Sequence, residues 1–211
     1  MRNIDSYTHT RGESVYLDDI PEIAGTLNAA VYGSPEAHGI IKQLHLDDAL
    51  AVKGVVKILT NKDIPGKNQI GGIVKDEPLL ADGVVHFNGM PVAIVVAENA
   101  DAAHEAVKKI KIDIEPLPVV TLARVAQQNG ALIVPPRTFK IGDSQSAFAQ
   151  CKYIFEGIAE TNGQEHLYIE TQGAYAIPAE NGAIKIYSST QGPTAVQKHC
   201  AEVLDVPMHK V

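Results

Sequence analysis

The apolar positions of this chain change their spacing as it runs, and the changes mark its elements. Thr26 to Tyr32 reads as a first strand and Ser34-Pro35 as a turn. In Ile40 to Leu46, Ile40, Lys42, Leu44 and Leu46 share one side and Ile41, Gln43 and His45 the other, which predicts a second strand. Asp47 to Leu50 is a helical turn capped by an aspartate, Gly54 ends it, and Val55 to Leu59 is β-branched enough for a strand. Asn61 to Gly72 is a loop dense in Asn, Asp, Pro and Gly. Val84 to Phe87 and Val92 to Ala97 flank Asn88-Gly89-Met90-Pro91, which predicts a hairpin. Ala93 to Ala97 is apolar throughout, as in a central strand covered on both faces. The spacing then becomes helical: Ala103, Ala106, Val107 and Ile110 recur on one face behind Asn99 as N-cap, and Lys108 and Lys109 suit the helix dipole. Lys111 to Glu115 returns as a strand that Pro116 and Pro118 stop.

Beyond it the composition shifts. Thr121 to Asn129 reads as a short helix, Gly130 to Ile141 with Pro135-Pro136 as a linker, and Asp143 as the cap of a helix to about Gln150. Four strands are predicted next: Tyr153 to Glu160, Leu167 to Glu170, Gly173 to Ile177 and Ala183 to Ser188. Asn181-Gly182 is a hairpin signal between the last two. Pro193 opens a helix in which Val196, Cys200, Val203 and Leu204 share a face, ending near Pro207. The chain is therefore expected to be α+β, with one unit over residues 1–127 including an N-terminal arm, a linker over 128–142 and a second unit over 143–211.

Bulk properties narrow the function classes. A net charge of −7 and the lack of any Lys/Arg run argue against a nucleic-acid partner. The strongest apolar stretch, Val92 to Ala97, is far too short to span a bilayer. The chain opens with a polar segment at Met1-Arg2-Asn3-Ile4-Asp5, without a signal-peptide core, so a cytoplasmic location is expected. Cys151 and Cys200 are far apart and read as two partly buried thiols in a reducing compartment.

Candidate chemistry concentrates in Gly163-Gln164-Glu165-His166-Leu167-Tyr168-Ile169-Glu170-Thr171 and, further on, Ser189-Thr190-Gln191. On a strand Glu165 and Glu170 would lie on opposite faces, which argues against an acid–base pair. His166 lacks metal-site spacing around it and reads as a hydrogen-bonded, partly core histidine. Gly71-Gly72 and Gly66 lack the Lys-Ser/Thr ending of a phosphate loop, and Asp18-Asp19 reads as a solvated or capping pair.

Several of these stretches resemble one family in register. The run from Gly163 with Ser189-Thr190-Gln191 is similar to the G-Q-E-H-F-Y-L-E-T and S-T-Q elements of the xanthine dehydrogenase and aldehyde oxidase large subunit. Gly12 to Pro21, Ser34 to Ile41, Asp63-Ile64-Pro65-Gly66-Lys67-Asn68 with Gly71, Gly89 to Ala93, and Glu115 to Pro118 resemble further family elements in the same order. The resemblance implies an α/β-hammerhead domain followed by the start of a molybdenum-cofactor-binding α+β domain. It implies molybdopterin as cofactor of the intact enzyme, with Gln191 beside the metal. An amide there can donate to a metal oxo group without changing the charge. The implied reaction is hydroxylation of a purine or other N-heterocycle, or an aldehyde, with oxygen from water. The partners implied are iron–sulfur and FAD domains or subunits. The family's glycine-rich F-G-G-K-E segment, its substrate residues and a catalytic glutamate have no counterpart here. The chain is therefore expected to be a fragment that is inert and metal-free alone. It is expected to lack its C-terminal cofactor and substrate domains, and to self-associate through the strands from Tyr153 to Ser188. A non-catalytic binding or scaffold module that kept the hammerhead fold is the alternative.

Overall fold

In chain order the elements are α1 (Asp5–Arg11), β1 (Asn28–Gly33), β2 (Gly39–His45), α2 (Asp47–Leu50), β3 (Val55–Thr60), β4 (Val84–Val85), β5 (Pro91–Ala97), α3 (Ala100–Lys109), β6 (Lys111–Pro116), α4 (Ala123–Gln128), α5 (Ser144–Ala149), β7 (Ala174–Pro178), β8 (Ile184–Ser188) and α6 (Pro193–Leu204). This computed structural model describes residues 5–168, 170 and 172–211. They divide into two units, one made of the residues up to Val119 with those from 170 onward, the other Val120–Tyr168.

The first unit holds three antiparallel sheets, ordered β1-β5-β3, β4-β2-β6 and β7-β8. β5 is central, with β1 and β3 on its edges, but it is not buried on both faces as expected: Ile94 and Val96 on the face away from α3 are only half-buried. Its Ala93, Val95 and Ala97 are fully buried against Ala102, Ala103 and Ala106 of α3, which lie within one core cluster. Small side chains on both partners let the helix sit close to the strand. The Asn99 side chain caps α3, accepting from the Ala102 N–H at 2.9 Å. A second cluster gathers Ala81, Val85, Met90 and Val92, and Tyr32 and Leu44 pack against both.

Two local expectations are corrected here. Val84–Val85 and β5 do not form a hairpin: β4 pairs with β2, while β5 has β1 and β3 on its two edges and no edge left for β4. The Asn88–Pro91 turn instead carries the chain between sheets, held by Ser34 N–H to Met90 O and Gly89 N–H to Ser34 O, both 2.8 Å. Gly89 sits at φ +83°, where a side chain would be strained. The α2 turn has Leu46 rather than an aspartate before it, and no side chain caps it. Asn181 and Gly182, at φ 58° and 69°, turn β7 into β8 as the Asn-Gly pair implies.

In the second unit, Asp143 caps α5 by accepting the Ser146 N–H at 3.2 Å. The predicted strands at Tyr153 to Glu160 and Leu167 to Glu170 are absent among the described residues. An extended segment becomes a strand only when a ladder partner meets its N–H and C=O groups, and no described strand pairs with either segment. Leu167, at φ 50°, also breaks the extended path. Ile169 and Thr171, part of the same expectation, lie outside the described residues. Cys151 is exposed rather than partly buried, because α5 and the residues after it are solvated throughout. Cys200 is half-buried, and that burial pushes its thiol pKa up.

Candidate functional site

β8 ends at Ser188 and α6 begins at Pro193, so Ser189-Thr190-Gln191-Gly192 forms the link at the N-terminal end of a three-turn helix. The Thr190 hydroxyl accepts the Gly192 N–H at 3.0 Å and tightens that link. Gly192 is the N-cap and no side chain caps the helix, so Gln191 does not serve as a cap. Its side chain is exposed and has no hydrogen-bond partner among the described residues. A free neutral amide at an uncapped helix start is well placed to donate to an electronegative group from outside the chain. Beside it a hollow of about 300 Å³ opens between β8 and α6, lined by Ile186, Ser188, Thr190, Thr194 and Gln197 among others.

The far end of α6 is held by the first half of the chain. A helix leaves its last carbonyls without intrahelical donors. Here the Gly66 N–H donates to Val203 O and the Lys67 N–H to Glu202 O, both at 2.9 Å. The Lys67 ammonium lies 3.3 Å from the Glu202 carboxylate and holds its pKa below the usual range. Asp205 turns left-handed at φ 55°, and the Val206 N–H returns to Ala201 O at 3.0 Å.

The loop that supplies Gly66 is itself fixed residue by residue. Asp63 accepts from the Thr60 N–H at 2.9 Å and pairs with Lys57 at 3.1 Å. Its carboxyl pKa is held below the usual carboxylate range, first by that backbone hydrogen bond and then by Lys57. The Asn68 amide donates to Leu80 O at 2.7 Å and accepts the Leu80 N–H at 2.9 Å. Leu80 is buried, so Asn68→Ala would leave two backbone groups unpaired. The expected loss is about 1–3 kcal/mol for each group that stays dry. Chemical denaturation of the variant measures it, and an unchanged midpoint would show that water replaces the amide.

Other predicted residues take structural roles. Glu165 accepts from the N–H groups of His166 and Leu167 at 2.9 and 3.4 Å. Glu170 accepts the Leu17 N–H at 2.6 Å. The two carboxylates are thus each engaged with backbone. His166 is exposed rather than partly core, because the residues around it are solvated; its ring has no hydrogen bond among the described residues and meets the Tyr168 ring edge to face at 5.6 Å. Gly71 lies in a packed turn, its N–H given to the Gln69 side chain at 2.6 Å. Asp19 caps a turn by accepting the Tyr16 N–H at 2.8 Å. Sequence reasoning missed that Tyr175 and Glu170 anchor the N-terminal arm: the Tyr175 hydroxyl accepts the Ile23 N–H at 2.9 Å. No local pattern announces a contact between residues about 150 positions apart. Among the described residues no group of three or more His, Cys, Asp or Glu could hold a metal ion, and no helix is long and apolar enough to cross a membrane.

Two small sheets with a helix packed on a central strand, followed by a hairpin and a helix with Gln191 just ahead of it, define an α+β protein of the hammerhead class joined to the start of a cofactor-binding domain. Residues 11–118 match the family profile described as aldehyde oxidase and xanthine dehydrogenase, a/b hammerhead domain. Residues 125–211 match the molybdopterin cofactor-binding domain. The chain belongs to the aldehyde oxidase and xanthine dehydrogenase family of molybdenum hydroxylases. It is 34% identical to xanthine dehydrogenase of Emericella nidulans, over 99% of this chain and 16% of that protein. It is 36% identical to aldehyde oxidase 2 of Rattus norvegicus, over 100% of this chain and 16% of that protein. The chain thus spans about one sixth of the length of these relatives. The aldehyde oxidoreductase from Desulfovibrio gigas superposes with a TM-score of 0.84 at 28% identity, covering 98% of this chain and 25% of that one. Quinoline 2-oxidoreductase from Pseudomonas putida 86 gives 0.82 at 27% identity, covering 98% and 28%.

Gln191 and the start of α6 have the chemistry that one contact with molybdopterin would need: a neutral donor, without a hydrogen-bond partner among the described residues, at a helix N-terminus that favours anions. They fit a contact and not a complete site, since one amide cannot hold a large phosphorylated pterin.

Proposed function

We propose that this chain is one part of a larger molybdenum hydroxylase subunit, and that Gln191 is its contribution to the metal site. The observation that carries this reading is two family domains matched in series over residues 11–211, in a chain one sixth the length of its relatives. The domain division is a hammerhead with its arm at 1–127, a linker at 128–142 and the first part of the cofactor-binding domain at 143–211. When bound, molybdopterin supplies the two-electron oxidation that places oxygen from water on a carbon of a purine, another N-heterocycle or an aldehyde. Gln191 donates its amide N–H to the cofactor and adds no charge, so the redox balance of the site is left to other groups. The partners are the remaining cofactor and substrate domains, and iron–sulfur and FAD domains or subunits that carry electrons away, all in the cytoplasm.

Alone, the chain is inert and metal-free, because Gln191 is the single cofactor contact that the family resemblance carries over to it. It also self-associates. Phe155, Ile133, Phe139 and Ile158 are 92%, 91%, 87% and 86% exposed, large apolar side chains that a second copy would cover. The isolated 211-residue chain is expected to hold only background molybdenum by elemental analysis, to turn over no xanthine and to sediment as a dimer or larger. Stoichiometric molybdenum would sink the claim of inertness, and a clean monomer the claim of self-association. A native gene product of about 22.6 kDa would favour a stand-alone binding module instead.

A further inference from the structure

We infer that the Asp63–Lys67 loop is a positioning element for Gln191, acting through α6, and that Gly66 is the residue on which it depends. The inference rests on the reading of Gln191 as a cofactor contact.

The loop grips α6 by backbone alone. Gly66 and Lys67 give their N–H groups to Val203 and Glu202, two carbonyls of the last turn that would otherwise need water. The fit leaves no room for a side chain. A Cβ on Gly66 would stand 2.1 Å from the Glu202 carbonyl oxygen, and 2.9 Å from both the Val203 oxygen and the Asp205 nitrogen. All three are main-chain atoms of the helix end, so none can swing aside. Accommodation requires the loop and the helix to part, and both hydrogen bonds lengthen together. The loop cannot easily absorb that movement, because Asp63 ties it to Thr60 and Asn68 ties it to Leu80.

The helix transmits the change. α6 has 12 residues and, at 1.5 Å per residue, is about 18 Å long. Gln191 lies just ahead of its N-terminal end, joined through the N-cap Gly192. A tilt of about 5° at the gripped end moves the other end by about 1.5 Å at that length. Displacements of about 1 Å in a catalytic group can cost roughly 10²-fold in rate. The Lys67–Glu202 pair is exposed on the lysine side and adds little by itself; the grip is the backbone contact.

The test uses the full-length enzyme loaded with its cofactor, in four forms: wild type, Gly66→Ala, Gln191→Ala and the double variant. Gly66→Ala is expected to lower kcat at least about tenfold with molybdenum content retained and KM little changed. In the Gln191→Ala background the same substitution should have almost no further effect, since a residue acting through Gln191 has nothing left to position. Multiplicative losses in the double variant would overturn the inference, as would a Gly66→Ala enzyme with wild-type kcat beside an impaired Gln191→Ala. A fully active Gln191→Ala enzyme is a different failure, that of the underlying reading. Hydrogen exchange on the wild type supplies a measurement that needs no variant. The Gly66 and Lys67 amides should exchange as slowly as the interior of α6, and exchange at open-loop rates would overturn the grip itself.

Discussion

Replacing Gln191 by alanine in the full-length enzyme is expected to reduce turnover by about 10²–10³-fold, the usual cost of removing one preorganised donor from a reacting centre. Folding should be untouched. The side chain is solvent-exposed and bonds to no other described residue, and α6 keeps its uncapped start with or without it. Surface substitutions of this kind stay within about 0.5 kcal/mol. Gln191→Glu separates donation from shape: it keeps the length, removes both amide protons and adds a negative charge. It should therefore be at least as damaging as alanine. Steady-state kinetics with molybdenum content measured in parallel decides the matter, and turnover within threefold of wild type for both variants would remove Gln191 from the site.

A second large effect, on stability, is expected in the hammerhead core. Ala106 of α3 is fully buried and belongs to the same cluster as Ala93, Val95 and Ala97 of β5. Ala106→Leu forces three extra carbons into that contact, where the fit depends on alanines on both partners. Overpacking of this size costs about 1–3 kcal/mol, and for a chain of this length each kcal/mol lowers the melting temperature by roughly 2–4 °C. A drop of several degrees is expected in a thermal melt. His104→Leu, on the exposed side of the same helix, is the control and should change little. Equal melting points for the two variants would mean that α3 and β5 are not held by close packing.

Much of the fold was legible because its signals are local. The unbroken apolar run at Ala93 to Ala97 placed the central strand, Asn99 announced the start of α3, and Asn181-Gly182 announced the β7–β8 turn. The Asp63-to-Asn68 motif could be read as a turn-rich loop, but not for what its residues hold. Asn68 serves Leu80 twelve positions on, and Gly66 serves Val203, far along the chain. Pairing partners were likewise invisible. Val84–Val85 looked like half of a hairpin with β5, yet a strand's own sequence does not say which edge it will meet. Tyr153 to Glu160 has the composition of a strand without a described partner to make it one. For the candidate site, the position of Gln191 came from the family resemblance. Its exposure, and its separation from the helix cap, came only from the folded chain.

The N-terminal arm bears on how this molecule can be cut. Leu17 and Ile23 donate their N–H groups to Glu170 and Tyr175, while Gly66 and Lys67 grip α6, so residues on both sides of the gap between the two family-domain matches are joined at separate points. The boundary near residues 118–125 is thus a seam in the sequence and not in the fold. Two halves expressed separately should each lose order at the surface the other covers. Mixed, they should find one another again, as the pieces of a split reporter do.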